Sequence, residues 1–172
     1  MEFLNAIKEK IPDYAKDIRL NLDGTIARSS LEGNDALGVA LAAAFAAKSK
    51  FLIDAIRGAG ILPPEEVQGV LTASALMGMN NVWYPYLDMA GDEELKTQPA
   101  GLRMNAYANH GGVDARRFEM YALAASIVGK CPHCVHAHYD GLRKAGMSVQ
   151  QLRDVGRIAA VINAAAQVVA AE

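Results

Sequence analysis

The sequence predicts an all-α, single-domain protein over residues 1–172. Three observations carry that expectation. Apolar residues recur at helical spacing along the chain, and no stretch alternates in the manner of a half-buried strand. Aromatic residues are only 6% of a chain that is 52% hydrophobic, so closely packed, alanine-rich helices are the core its side chains can build. Helix-start signals also punctuate the chain from Pro12 to Ser148. The apolar excess makes assembly as an oligomer a further expectation.

The elements follow in order. Pro12 opens a first helix through Arg19 and Leu20. Asn34 or Asp35 caps a long apolar helix to about Ala47, and Phe51 to Ile56 forms a shorter one. Pro63 and Pro64, then Glu65 and Glu66, start a helix that runs to about Gly78. Proline suits the first turn, and carboxylates suit the positive end of the dipole. A polar link containing glycine and proline spans 91–101. Asp114 caps the next helix, which reaches Val128 and breaks at Gly129-Lys130. Cys131 opens another helix, stopped by Gly146, and Ser148 with Gln151 forms a capping box for the last, Val149 to about Ala171. An offset of 51 residues aligns Val67, Val70, Ala73, Leu76 and Gly78 with Phe118, Tyr121, Ala124, Ile127 and Gly129, a degenerate helical repeat of 64–84 in 115–135.

Composition removes several function classes. The net charge is -2 and no basic block or stripe is present, which argues against nucleic acid as a partner. The longest wholly apolar run, Ala36 to Ala47, falls short of the roughly 20 residues a membrane-spanning helix needs. The first residues, Met1-Glu2-Phe3-Leu4-Asn5, lack the charged start and apolar centre of a signal peptide. A reducing cytoplasm is the expected compartment. There a Cys-x-x-Cys pair reads as redox-active or metal-binding rather than as a structural staple.

Chemistry concentrates in Cys131-Pro132-His133-Cys134-Val135-His136-Ala137-His138, which holds both cysteines and three of the four histidines. Two thiols three positions apart can close a disulfide within one helical turn. At about 100° per residue, Cys131, Cys134 and His138 share a narrow stripe of one helix, while His133 and His136 project to roughly the opposite side. His138 is therefore the imidazole best placed to take a proton from Cys134. Pro132 suits the first helical position and leaves Cys131 at the N-cap, where unpaired amides and the dipole favour a thiolate. Glu119 is the only charge between Arg117 and Lys130, inside an apolar run. Such a carboxylate is expected to be partly buried and able to relay protons through His138 or water.

Other readings compete. A structural zinc could take Cys131, Cys134 and His138 with Glu119 or His110, although such sites usually have a second Cys/His pair elsewhere. Inert core thiols fit poorly with the histidines around them. A thioredoxin-type fold shares the tetrapeptide but needs a strand before the first cysteine, where this chain offers helix. His136 and His110 read as solvated, Arg116 and Arg117 as a wet face, Met77 and Met79 as packing. The aromatics of Trp83-Tyr84-Pro85-Tyr86 read as core or subunit contacts.

A helical surround, a glutamate twelve residues before Cys-x-His-Cys, and a histidine four after the second cysteine together resemble the alkyl hydroperoxide reductase D (AhpD) family, within the carboxymuconolactone decarboxylase-like superfamily. The likeness extends to Pro12-Asp13-Tyr14-Ala15-Lys16-Asp17-Ile18, Met77-Gly78-Met79-Asn80-Asn81-Val82 and Gly101-Leu102-Arg103-Met104-Asn105. The resemblance implies an AhpD-like helical fold, a homotrimer, and antioxidant peroxidase activity on organic hydroperoxides. It further implies electron transfer to an AhpC-type peroxiredoxin through a mixed disulfide at Cys134. Recharging would come from dihydrolipoamide on a lipoylated 2-oxoacid dehydrogenase subunit, with no bound cofactor or metal. Under it, Cys134 is the thiolate that becomes a sulfenic acid. Cys131 donates a proton and then resolves the intermediate as the Cys131–Cys134 disulfide, and Glu119, His133 and His138 form the proton relay.

The helix N-terminus alone favours Cys131 as the more acidic thiol, whereas the family pattern and His138 favour Cys134. Pro132 departs from the small polar residue expected there, and by stiffening the loop it is expected to make the disulfide more oxidising. A Pro132→Ser variant should show a more negative reduction potential in equilibrium with a dithiol. Two other function classes remain open at this level: a lactone decarboxylase, which has no need of two thiols, and a non-enzymatic redox- or metal-sensing interaction protein.

Overall fold

Helix α3 (Asp35–Ala46) is buried over its first ten residues, and the other long helices are arranged around it. The computed structural model describes residues 2–172, and among them there is no strand. Before α3 come α1 (Glu2–Glu9), a single tight turn at Asp13–Ala15, α2 (Lys16–Leu22) and a wider turn at Asp23–Ala27. After it come α4 (Lys50–Gly58), α5 (Pro64–Ala90), the short α6 (Glu93–Thr97) and α7 (Asn105–Ala108), α8 (Ala115–Val128), α9 (Pro132–Lys144) and α10 (Val149–Ala171).

Small side chains let α3 lie close to its neighbours α5, α8 and α10. A Cβ at Gly38 would run into the Tyr121 ring on α8, so glycine is what permits that approach. Helix α8 is buried from Met120 to Ser126 and forms the second layer of the core. Helix α10 is long and apolar enough to cross a bilayer by composition, yet Leu152, Val155, Ile158, Ile162 and Ala165 on it are packed inside the protein. Burying such a stripe supplies roughly 1.5–3 kcal/mol per large side chain.

Caps fall where the sequence places them for α8, α9 and α10. Asp114 accepts from the Arg117 N–H at 3.0 Å. Ser148 Oγ accepts from the Gln151 N–H at 3.1 Å while the Gln151 side chain returns to the Ser148 N–H at 2.9 Å, a complete capping box. Ser49 caps α4.

Three elements differ from expectation. Helix α1, with Phe3, Leu4 and Ile7 buried, has no punctuation in sequence to announce it. The helix begun at Pro64 does not end near Gly78 but continues through Pro85 to Ala90, and ends where Gly91 takes a left-handed φ of 64°. The link 91–101 contains α6, capped by Asp92. Of the repeat, both halves start as helices at Pro64 and Ala115, but the first runs straight on where the second breaks after Gly129.

Two buried ionic clusters fasten the helices. Asp154, 1% exposed on α10, accepts from the Ser30 backbone N–H and hydroxyl, both at 2.8 Å, and from Arg157 at 3.1 Å. Burial alone would push its carboxyl up, but Ser30 and Arg157 outweigh it and hold the group below the ordinary carboxylate range. A depressed folded value stabilises the fold above the unfolded carboxylate value and loses that contribution as pH falls through the folded one. An Asp154→Asn variant should lose about 2 kcal/mol at neutral pH by denaturant titration. The deficit should begin to shrink below about pH 4, where the unfolded-state carboxylate protonates, and should vanish as pH falls through the lower folded value.

In the second cluster Arg117 on α8 lies 2.9 Å from both Asp35 of α3 and Glu66 of α5, and the Tyr121 hydroxyl donates to Glu66. Arg117 is thus no solvated face; its partners lie far off in the sequence. Arg116 adds a longer contact to Asp35 at 3.5 Å. Burial, then the bond to Glu66, pushes the Tyr121 phenol far above its usual value.

Candidate active site

Helix α9 begins on the reactive segment. Pro132 occupies the first turn, leaving Cys131 as N-cap with extended backbone, and Cys131 Sγ accepts the Cys134 N–H at 3.2 Å. The two cysteines are joined as a disulfide with their Cα atoms 5.3 Å apart. Their environments differ. Cys131 is fully buried, whereas Cys134 is 3% exposed and lines a cleft of about 190 Å³.

The cleft is walled by Met77, Asn80 and Tyr84 of α5, by Met104 and Tyr107 of the following segment, and by His133, Cys134, Ala137 and His138. None of these residues bears a carboxylate, ammonium or guanidinium. His138 lies one turn beyond Cys134 and is buried, with Nδ1 2.6 Å from Glu119 Oε2 and Nε2 3.1 Å from Met77 Sδ. Glu119 reaches it from the middle of α8, half-buried as its apolar surroundings suggest. The carboxylate orients the imidazole, an arrangement suited to passing protons to and from a neighbouring thiol.

His133 corrects the helical-wheel expectation. It does not point away from the cysteines' working face: its ring stacks on Tyr84 at 4.0 Å, and both line the cleft. The cleft opens across the first turn of α9, so residues on adjacent faces of that turn meet in it. His136 pairs with Asp140 at the surface, 3.3 Å away, as a solvated residue does. His110 is instead half-buried against Phe118 and Tyr107. In this structure the cysteines are bonded to each other and His138 is engaged by Glu119 and Met77. Among the described residues no group of three or more His, Cys, Asp or Glu is arranged to hold a metal ion.

Sequence reasoning missed the outer wall of the cleft. Met77 reads as packing and Tyr84 as core or subunit contact, and α5 is expected to stop near Gly78, before Tyr84. Its continuation carries Asn80 and Tyr84 past the disulfide.

This fold and this site define a class: an all-helical dithiol protein whose residues 93–172 match the carboxymuconolactone decarboxylase family. Over nearly its whole length the chain is 42% identical to an alkyl hydroperoxide reductase AhpD of Rhodospirillum centenum, covering 98% of this chain and 91% of that one. It is 40% identical to an AhpD of Coxiella burnetii (96% of each chain) and 39% identical to one of Maricaulis maris (98% of each). The chain belongs to the AhpD family of oxidoreductases.

Proposed function

We propose that this protein is a thiol-dependent alkyl hydroperoxide reductase that works through Cys131 and Cys134. The observation that carries the reading is a cysteine pair with one sulfur sealed and the other facing a cleft lined by no carboxylate, ammonium or guanidinium, beside a Glu119–His138 couple. In the reduced protein, the Cys134 thiolate attacks the distal oxygen of a hydroperoxide. Its O–O bond breaks, Cys134 becomes a sulfenic acid, and the alkoxide leaves with a proton from Cys131. The Cys131 thiolate then attacks the Cys134 sulfur, the S–O bond breaks, and the departing hydroxide takes a proton from His138 to leave as water as the disulfide closes. A dihydrolipoyl dithiol restores both thiols and is itself oxidised to the cyclic disulfide. Glu119, His138 and His133 carry protons through these steps.

The cleft's lack of fixed charge supports an apolar hydroperoxide body and an uncharged lipoyl arm. The same Cys134 sulfur supports transfer to an AhpC-type peroxiredoxin through a mixed disulfide, and a lipoylated 2-oxoacid dehydrogenase subunit as donor. A cytoplasmic setting suits a disulfide that must be reduced at each turnover. Exposed Val82, Tyr86 and Met89 recur along one face of α5's outer end, which supports burial of that face in a homotrimer.

The test is oxidation of dihydrolipoamide by purified protein with and without cumene hydroperoxide. Peroxide-dependent turnover is expected. A disulfide that dihydrolipoamide reduces without turnover on peroxide would move the reading to an electron relay or sensor.

A further inference from the structure

His138 is held at both ring nitrogens, and only one of the two contacts is explained by the proton relay. Nδ1 meets the Glu119 carboxylate at 2.6 Å, so a proton lies between them. Nε2 faces the Met77 sulfur at 3.1 Å. A thioether offers lone pairs and no hydrogen. A bare Nε2 would present a second lone pair to it, so the contact is attractive only when Nε2 carries hydrogen. A hydrogen bond to Met77 would thus give the Glu119–His138 couple two protons while the disulfide is closed, one between the pair and one aimed at sulfur.

Met77 is suited to this task by its weakness. It is fully buried, reaches His138 from α5, and lines the same cleft as Cys134. A hydroxyl or carboxylate there would compete with a thiolate for the imidazole N–H. A neutral thioether satisfies the N–H yet gives way to an anionic sulfur, whose hydrogen bonds are about twice as strong. Resting on the function proposed above, we propose that Met77 is a positioning residue. It keeps the His138 Nε2–H occupied while the Cys131–Cys134 disulfide is closed and yields it to the Cys134 thiolate when the pair opens. No proton leaves the couple in that exchange; only its hydrogen-bond partner changes.

The test needs no peroxide, so its failure is separable from failure of the peroxidase reading. In nitrogen NMR of the oxidised protein, His138 Nε2 should resonate as a protonated nitrogen. Met77→Leu keeps the volume and removes the acceptor, a swap that cores tolerate. In that variant the oxidised-state Nε2 signal should move while the reduced-state signal stays. Loss of one hydrogen bond from the oxidised form alone should shift its equilibrium with dithiothreitol roughly threefold toward the dithiol. A bare-nitrogen signal in the oxidised wild type overturns the proposal by itself, without any variant. So does a Met77→Leu protein whose oxidised spectrum and dithiol equilibrium match the wild type.

Discussion

Serine at either cysteine should reduce dihydrolipoamide-dependent peroxide turnover to the uncatalysed background, but the two variants should fail differently. With Cys131→Ser, Cys134 keeps its place on the cleft and its neighbour His138, so one equivalent of peroxide should still oxidise it. The sulfenic acid then has no partner thiol and should be trapped by dimedone, visible as a single mass adduct. With Cys134→Ser, the remaining thiol is Cys131, which is fully buried at the N-cap. It should give no adduct, because burial in apolar surroundings disfavours a thiolate and bars the reagent. An adduct found only in Cys134→Ser would reverse the two roles and show that the helix N-terminus outweighs burial.

The second large effect is on stability. Arg117→Ala should cost about 3 kcal/mol, because it leaves the Asp35 and Glu66 carboxylates buried without their main cation. For a protein of this size that corresponds to a melting temperature lower by about 10 °C. The pH dependence identifies the cause. Burial already pushes the Asp35 carboxyl up, with Arg117 and Arg116 pulling it back, so removing Arg117 raises it further. A raised folded value means the folded state binds the proton more tightly. Protonation therefore stabilises the fold in acid, and this contribution is lost as pH rises through the folded value. The deficit of Arg117→Ala should narrow between neutrality and the ordinary carboxylate value of about 4, followed by denaturant melts across that window. A deficit independent of pH would mean that lost side-chain packing, rather than stranded charge, is responsible.

What could be read from the chain alone follows the range of the interactions involved. The capping box of Ser148 and Gln151, the Asp114 cap and the Cys131–Pro132 helix start are contacts within four residues, and each stands where local rules put it. His138 follows the same logic, since one helical turn relates it to Cys134. Glu119 was conspicuous because a lone charge in an apolar run needs a partner, and His138 is that partner. Arg117 shows the converse. Its ion pairs join residues from three helices, and a local reading sees only a charged residue near a helix start. The long α5 was hidden by Gly78, Asn80, Asn81 and Pro85, all poor helix formers. Tertiary contacts hold it together: Asn81 donates to the Ala125 carbonyl at 3.1 Å, and Tyr84 stacks on His133. Without that overrun the cleft would have had no outer wall to predict.

The Cys131–Cys134 bond spans only three positions, and its first residue is already the cap of α9. A cross-link between such near neighbours restrains the unfolded chain far less than one between distant segments would. The helix itself is begun by Pro132 and the cap, neither of which depends on the sulfur–sulfur bond. Opening the bond therefore leaves the start of the helix in place. Redox state and folding are separated here by sequence distance: a bond across one helical turn ties no distant segments together.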